Sequence, residues 1–108
     1  MNYVAETRHF VDKLVHIQQH IRDKKLYRRV DQRYIDYVLY EIERYLQLYN
    51  TDNEKVMRRF WDLHSRRVKQ LLPSKKYSGF SSLLAKFEEL DNYYKNEIWN
   101  SVTNNLVN

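Results

Sequence analysis

Apolar residues recur along this chain at intervals of three and four, and the recurrence breaks into four stretches. In the first, Tyr3, Phe10, Leu14, Ile17 and Ile21 fall on one side of a 3.6-residue helix. The second, from about Asp31 to Tyr49, is the cleanest. Ile35, Val38, Ile42, Tyr45 and Tyr49 step like heptad seam positions, and Leu39 and Leu46 widen the stripe. A third helix is predicted to start at Thr51-Asp52-Asn53-Glu54, read as a capping box with Thr51 as cap and Glu54 bonding back. Its apolar side holds Val56, Met57, Phe60, Trp61, Leu63, Val68 and Leu71, and it stops before Pro73, which cannot continue a helix. Ser74 to Gly79 reads as a loop. A fourth helix runs from about Ser81 with Leu83, Leu84, Phe87, Leu90, Tyr94 and Ile98 on its stripe, and the Asn-rich end is expected to fray over residues 104–108.

The expected fold is therefore all-α, a single domain over residues 1–108 built as an antiparallel bundle of four amphipathic helices. The alternative is a three-helix core with a docked or swapped fourth helix. Composition points the same way. The chain has one Gly and one Pro, and a sheet protein needs far more turn residues than that. It has no cysteine, which excludes thiol redox chemistry, disulfides and zinc-ribbon sites. The first ten residues carry Glu6 and Arg8 and no apolar run, so no secretory signal is expected. No stretch approaches the length of a membrane span. A soluble, cytoplasmic protein is the expectation.

Charge sharpens the picture because it is unevenly placed. The net charge is +5, with residues 1–30 contributing +4, 31–50 −2, 51–76 +5 and 77–108 −2. Basic and acidic helices alternate, which attracts neighbours in a bundle and could serve the fold alone. On the third helix, however, Lys55, Arg58, Arg59, Arg66 and Lys69 fall within about 100° of arc, interrupted by Asp62 and facing away from the apolar side. Lys75 and Lys76 extend the stripe into the following loop. A second cluster, Arg22, Lys24, Lys25, Arg28, Arg29 and Arg33, gathers at the first interhelical link. Such clusters can neutralise phosphates and confer salt-dependent affinity for nucleic acid. A solvated helix face has the same appearance.

The ten tyrosines divide into two groups. Tyr34, Tyr45 and Tyr49 fit the core edge of the second helix. Tyr37 and Tyr40 project on its far side beside Arg33 and Arg44. Tyr interleaved with Arg is the composition of binding surfaces, because both give large contact at modest entropic cost. Tyr rings can also stack on unpaired bases. The competing reading is that another helix covers this side.

Searches for catalytic chemistry come back empty. His9, His16 and His20 align on the first helix, with His16 and His20 one turn apart, but a third committed ligand is missing and a surface row is the better reading. The string HIQQH lacks the Glu of a zinc protease, and the closely spaced His pair of a Tyr-dependent nickase is absent. Below about pH 6.5 the row adds positive charge. One glycine cannot build a phosphate-cradling loop. The serines at 74–82 have no base tied to them by spacing, and Glu88-Glu89 sits in a solvated face. Residues 66–86 offer a helix, a basic break and a helix, but the break is too long for a helix-turn-helix and the second helix is not basic.

The expectation is a non-enzymatic binding protein without metal or cofactor. Its foremost partner is nucleic acid, held by the third-helix stripe and the 22–33 cluster. The rival is an acidic protein, anchored by Arg33, Tyr37, Tyr40 and Arg44. Self-association as a homodimer and peripheral attachment to an anionic membrane remain open. In length, charge and helical pattern the chain resembles small helical immunity proteins and also phage or plasmid accessory proteins, classes that share no motif with it from which a residue role could be transferred.

Overall fold

Two of the helices begin where an asparagine side chain accepts from their open amides. A computed structural model describes the backbone of residues 2–24, 29–73, 77 and 79–107, and the side chains of these except 29, 30 and 97–107. Helix α1 spans Tyr3–Asp23, α2 Arg29–Leu48, α3 Glu54–Gln70 and α4 Phe80–Val107. Asn2 caps α1, its side-chain oxygen accepting from the Ala5 amide at 3.2 Å.

The cap of α3 is Asn53, which accepts from the amides of Lys55 and Val56 at 2.9 and 3.4 Å. The capping box expected at Thr51 is therefore displaced by two residues. Asn50 folds the chain back with its side chain on the Asp52 amide, and this turn buries Thr51 instead. Before α4, the Gly79 carbonyl accepts the first helical bond from Leu83, and Gly79 itself has φ +88°. Open space surrounds the position where a Cβ would sit, so the backbone conformation, rather than crowding, calls for glycine here.

The helices run alternately up and down. Contacts between Tyr34 and Gln70, Glu41 and Arg67, and Tyr45 and Val56 set α2 antiparallel to α3. Trp61 against Phe87 and Asp91, with Tyr93 reaching Glu54, sets α4 antiparallel to α3. Helix α4 also runs antiparallel to α1, with Tyr93 stacked on Tyr3 at 3.8 Å and Lys86 reaching Glu6. Helix α3 touches all three others, whereas α2 packs mainly on α3. The molecule is elongated, 53 × 29 × 23 Å, because α4 continues past the level of Tyr3 and Glu54 to Val107, about 20 Å further.

Most of the expected core positions are buried. Phe10, Leu14, Val38, Ile42, Met57, Phe60, Trp61, Val68, Leu83, Phe87, Leu90 and Tyr94 are buried together. Two polar residues join it. The Thr7 hydroxyl bonds the Tyr3 carbonyl and meets the Tyr94 hydroxyl, both at 2.6 Å. Gln18 donates to the Leu71 carbonyl where α3 ends. Both satisfy groups that burial would otherwise leave unpaired.

Candidate binding face

Helix α2 sits at the margin of the bundle, so a broad arc of its circumference stays open. Among the described residues, the exposed large apolar side chains are Tyr34, Tyr37, Tyr40, Leu48, Tyr49 and Leu63, each 50–65% accessible. All six belong to α2, its immediate end, or the adjoining side of α3. Clustering of this kind marks interaction surfaces, whereas single exposed apolar residues do not.

The arrangement follows from helical geometry. At about 100° per residue, Arg33, Tyr37, Tyr40 and Arg44 occupy an arc of roughly 60° on α2. They form an exposed row with a cation one turn outside each tyrosine. The Tyr37 hydroxyl donates to Glu41 at 2.5 Å, and Glu41 pairs with Arg67 of α3. Tyr34 spans the seam to donate to Gln70 at 2.6 Å. Between the helices lies a shallow groove of about 600 Å³, walled by Tyr37, Tyr40, Arg44, Leu48, Tyr49 and Arg67.

His64 lies in the wall of this groove. Its ring sits edge-on to Tyr45 at 5.3 Å and tilted against Phe60 at 5.4 Å. Burial holds its pKa below the ordinary histidine value, and its Nδ1 has no hydrogen-bond partner. Burial likewise raises the phenol of Tyr45, with Tyr49 adding to the effect and Arg59 opposing it.

From α3 the groove is lined by His64 and Arg67, and the basic stripe lies elsewhere on the exposed side of that helix. Lys55, Arg59, Arg66 and Lys69 are exposed with Asp62 among them, and none of the four cations pairs with a carboxylate among the described residues. Arg58 turns out of the stripe. It is half-buried toward α4 and pairs with Glu54 at 3.6 Å. Thus α3 divides its cations: Arg58 and Arg67 lie in ion pairs, and four point to solvent.

Other expected residues fall elsewhere. Lys24 is exposed at the end of α1, and Arg22 pairs with Asp36 of α2 at 3.2 Å. Lys25, Arg28, Lys75 and Lys76 lie outside the described residues, as does the side chain of Arg29. His9, His16 and His20 are exposed on α1, and no three metal-capable side chains converge among the described residues.

Three apolar assignments need correction. Tyr34 and Tyr49 are half exposed. Tyr34 leans over the seam, and Tyr49 follows the last turn of α2, its ring tilted against Tyr45 at 4.4 Å. Leu63 lies about 140° from the buried Met57–Trp61–Val68 side and faces solvent. It was grouped with the core for its apolar character, and a stricter angular reading would have placed it in the basic stripe. Leu48 was missed. Its signal was its angular place beside Tyr37.

No helix of the described residues is long and apolar enough to cross a membrane. Comparison with protein-family models, with curated proteins and with solved structures finds no match. The class of protein is thus defined by its architecture alone, an all-α four-helix bundle with a marginal second helix.

Proposed function

We propose that this chain is a non-enzymatic binding protein and that its α2–α3 face holds nucleic acid. The observation that supports this reading most is the joining of two surfaces. Tyr37, Tyr40 and Arg44 of the α2 row line the groove together with Arg67 of α3, and α3 carries four further exposed cations, Lys55, Arg59, Arg66 and Lys69, that make no ion pair among the described residues. Seven cations (Arg33, Arg44, Lys55, Arg59, Arg66, Arg67 and Lys69) share the face with two carboxylates, Glu41 and Asp62. A polyanion laid across it meets charge from both helices, and counterion release then drives binding.

Fluorescence anisotropy of labelled DNA and RNA, read at about 50 and 200 mM salt, tests this. Micromolar or tighter affinity that falls steeply with salt is expected. Arg59→Ala and Arg66→Ala should each reduce the salt slope by about one. Unchanged affinity in both variants would reduce the stripe to a solvated face.

A second reading has its own observation. Leu48 and Leu63 are exposed beside the tyrosines, and aliphatic side chains contribute to protein contacts more than to phosphate binding. An acidic protein partner would make Tyr37→Ala or Arg44→Ala cost on the order of 2 kcal/mol with little salt dependence.

A further inference from the structure

We infer that the α2–α3 face takes a single strand with its bases stacked on Tyr37 and Tyr40, rather than a duplex. This rests on the nucleic-acid reading and narrows it to a substrate class. The row runs Arg33, Tyr37, Tyr40, Arg44 at spacings of four, three and four along α2. Two aromatic rings therefore lie between two guanidinium groups along about 16 Å of helix.

A duplex shows a protein its phosphates and groove edges, while its base faces are hidden in the stack. Duplex binding would use the cations of this face and leave four half-exposed tyrosines without a role. An unpaired strand presents both parts at once. Its bases can lie on aromatic rings, and its phosphates can reach flanking cations, an arrangement that tolerates any sequence because every base has a π-face. Arg33 and Arg44 flank the rings along α2, Arg67 lines the groove from α3, and Arg59 and Arg66 are exposed on that same helix.

One of the two stacking rings, Tyr37, is also held in advance, as is its neighbour Tyr34. The Tyr37 hydroxyl is bonded to Glu41 and the Tyr34 hydroxyl to Gln70, and Glu41 is itself paired with Arg67. A ring fixed by its hydroxyl loses little rotamer freedom when a base settles on it. Tyr40 is the most accessible of the four tyrosines and bonds to no side chain among the described residues, so it can adjust to the neighbouring base.

The test uses labelled oligothymidylate of about twelve nucleotides, the same backbone made abasic, and a duplex of equal length. The intact strand is expected to bind roughly ten-fold or more tighter than either of the others. Tyr37→Leu and Tyr40→Leu should each weaken the intact strand by about ten-fold and leave the abasic strand unchanged, whereas Tyr40→Phe keeps binding and Tyr37→Phe, which keeps the ring but loses its bond to Glu41, falls between the parent and the Leu variant. Both positions are exposed, and unchanged circular dichroism confirms that the variants fold. Equal affinity for duplex and strand, or Leu variants that bind as the parent does while Arg59→Ala and Arg66→Ala lose affinity, would overturn the single-strand inference and leave nucleic-acid binding standing. Failure of every nucleic acid at low salt, with capture of a Glu-rich helical peptide, would overturn both.

Discussion

At the residue scale, His64 makes a clear thermodynamic prediction. Its imidazole sits against Tyr45 and Phe60, and burial holds its pKa below the unfolded value near 6.5. Between the two values the unfolded chain binds more protons than the folded one. Its contribution to stability is therefore complete above about pH 6.5 and is lost as the pH falls toward the folded value. Urea unfolding at about pH 8 and pH 5 should show a smaller fall for His64→Phe than for the parent. An equal fall would assign the pH dependence to other groups. None of this was legible in the sequence, because a histidine at a helical position declares nothing about which rings will enclose it.

At the element scale, the start of α3 separates a motif from its physical realisation. The tetrad at 51–54 correctly announced a helix, yet the side chain on the open amides belongs to Asn53. Thr51 is instead buried at the turn. Asn53→Ala should cost about 1 kcal/mol in chemical denaturation through the lost cap bonds, and Asn53→Asp should retain most of the stability because its carboxylate accepts the same bonds and favours the helix N-terminus. A loss on Thr51→Val, which removes only the hydroxyl, larger than that on Asn53→Ala would return the cap to Thr51. The same scale explains Leu63. Apolar character placed it with the core, while its angle around α3 places it among Arg59, Arg66 and Gln70. Periodicity is a statement about angle, and the two criteria disagree at the edge of a stripe.

At the scale of the whole molecule, the position of α2 decides what surface exists. Had α2 been covered on both flanks, Tyr37 and Tyr40 would have been core residues and the Arg/Tyr row would carry no partner. Packing mainly on α3 leaves the row open and brings it beside the α3 cations. The alternation of basic and acidic helices is spent in part on ion pairs between helices. Arg22–Asp36, Arg67–Glu41 and Lys86–Glu6 tie neighbouring helices, and Lys55, Arg59, Arg66 and Lys69 remain over. Because these four make no ion pair among the described residues, replacing all four with Gln should shift unfolding free energy by no more than about 0.5 kcal/mol per site. The same variant should lose salt-dependent nucleic-acid binding. A collapse of stability would show that the stripe serves the fold.

What the chain determined by itself is what local covalent spacing can encode. The four helices, the stop before Pro73 and the core positions of Phe10, Leu14, Ile42, Met57, Phe60, Leu83, Leu90 and Tyr94 all follow from periodicity and turn chemistry. Tertiary structure alone decided which arcs stay open, which cations are spent in ion pairs and which rings enclose His64. Those outcomes depend on which helix lies against which, and that is set by the summed packing of residues far apart in the chain.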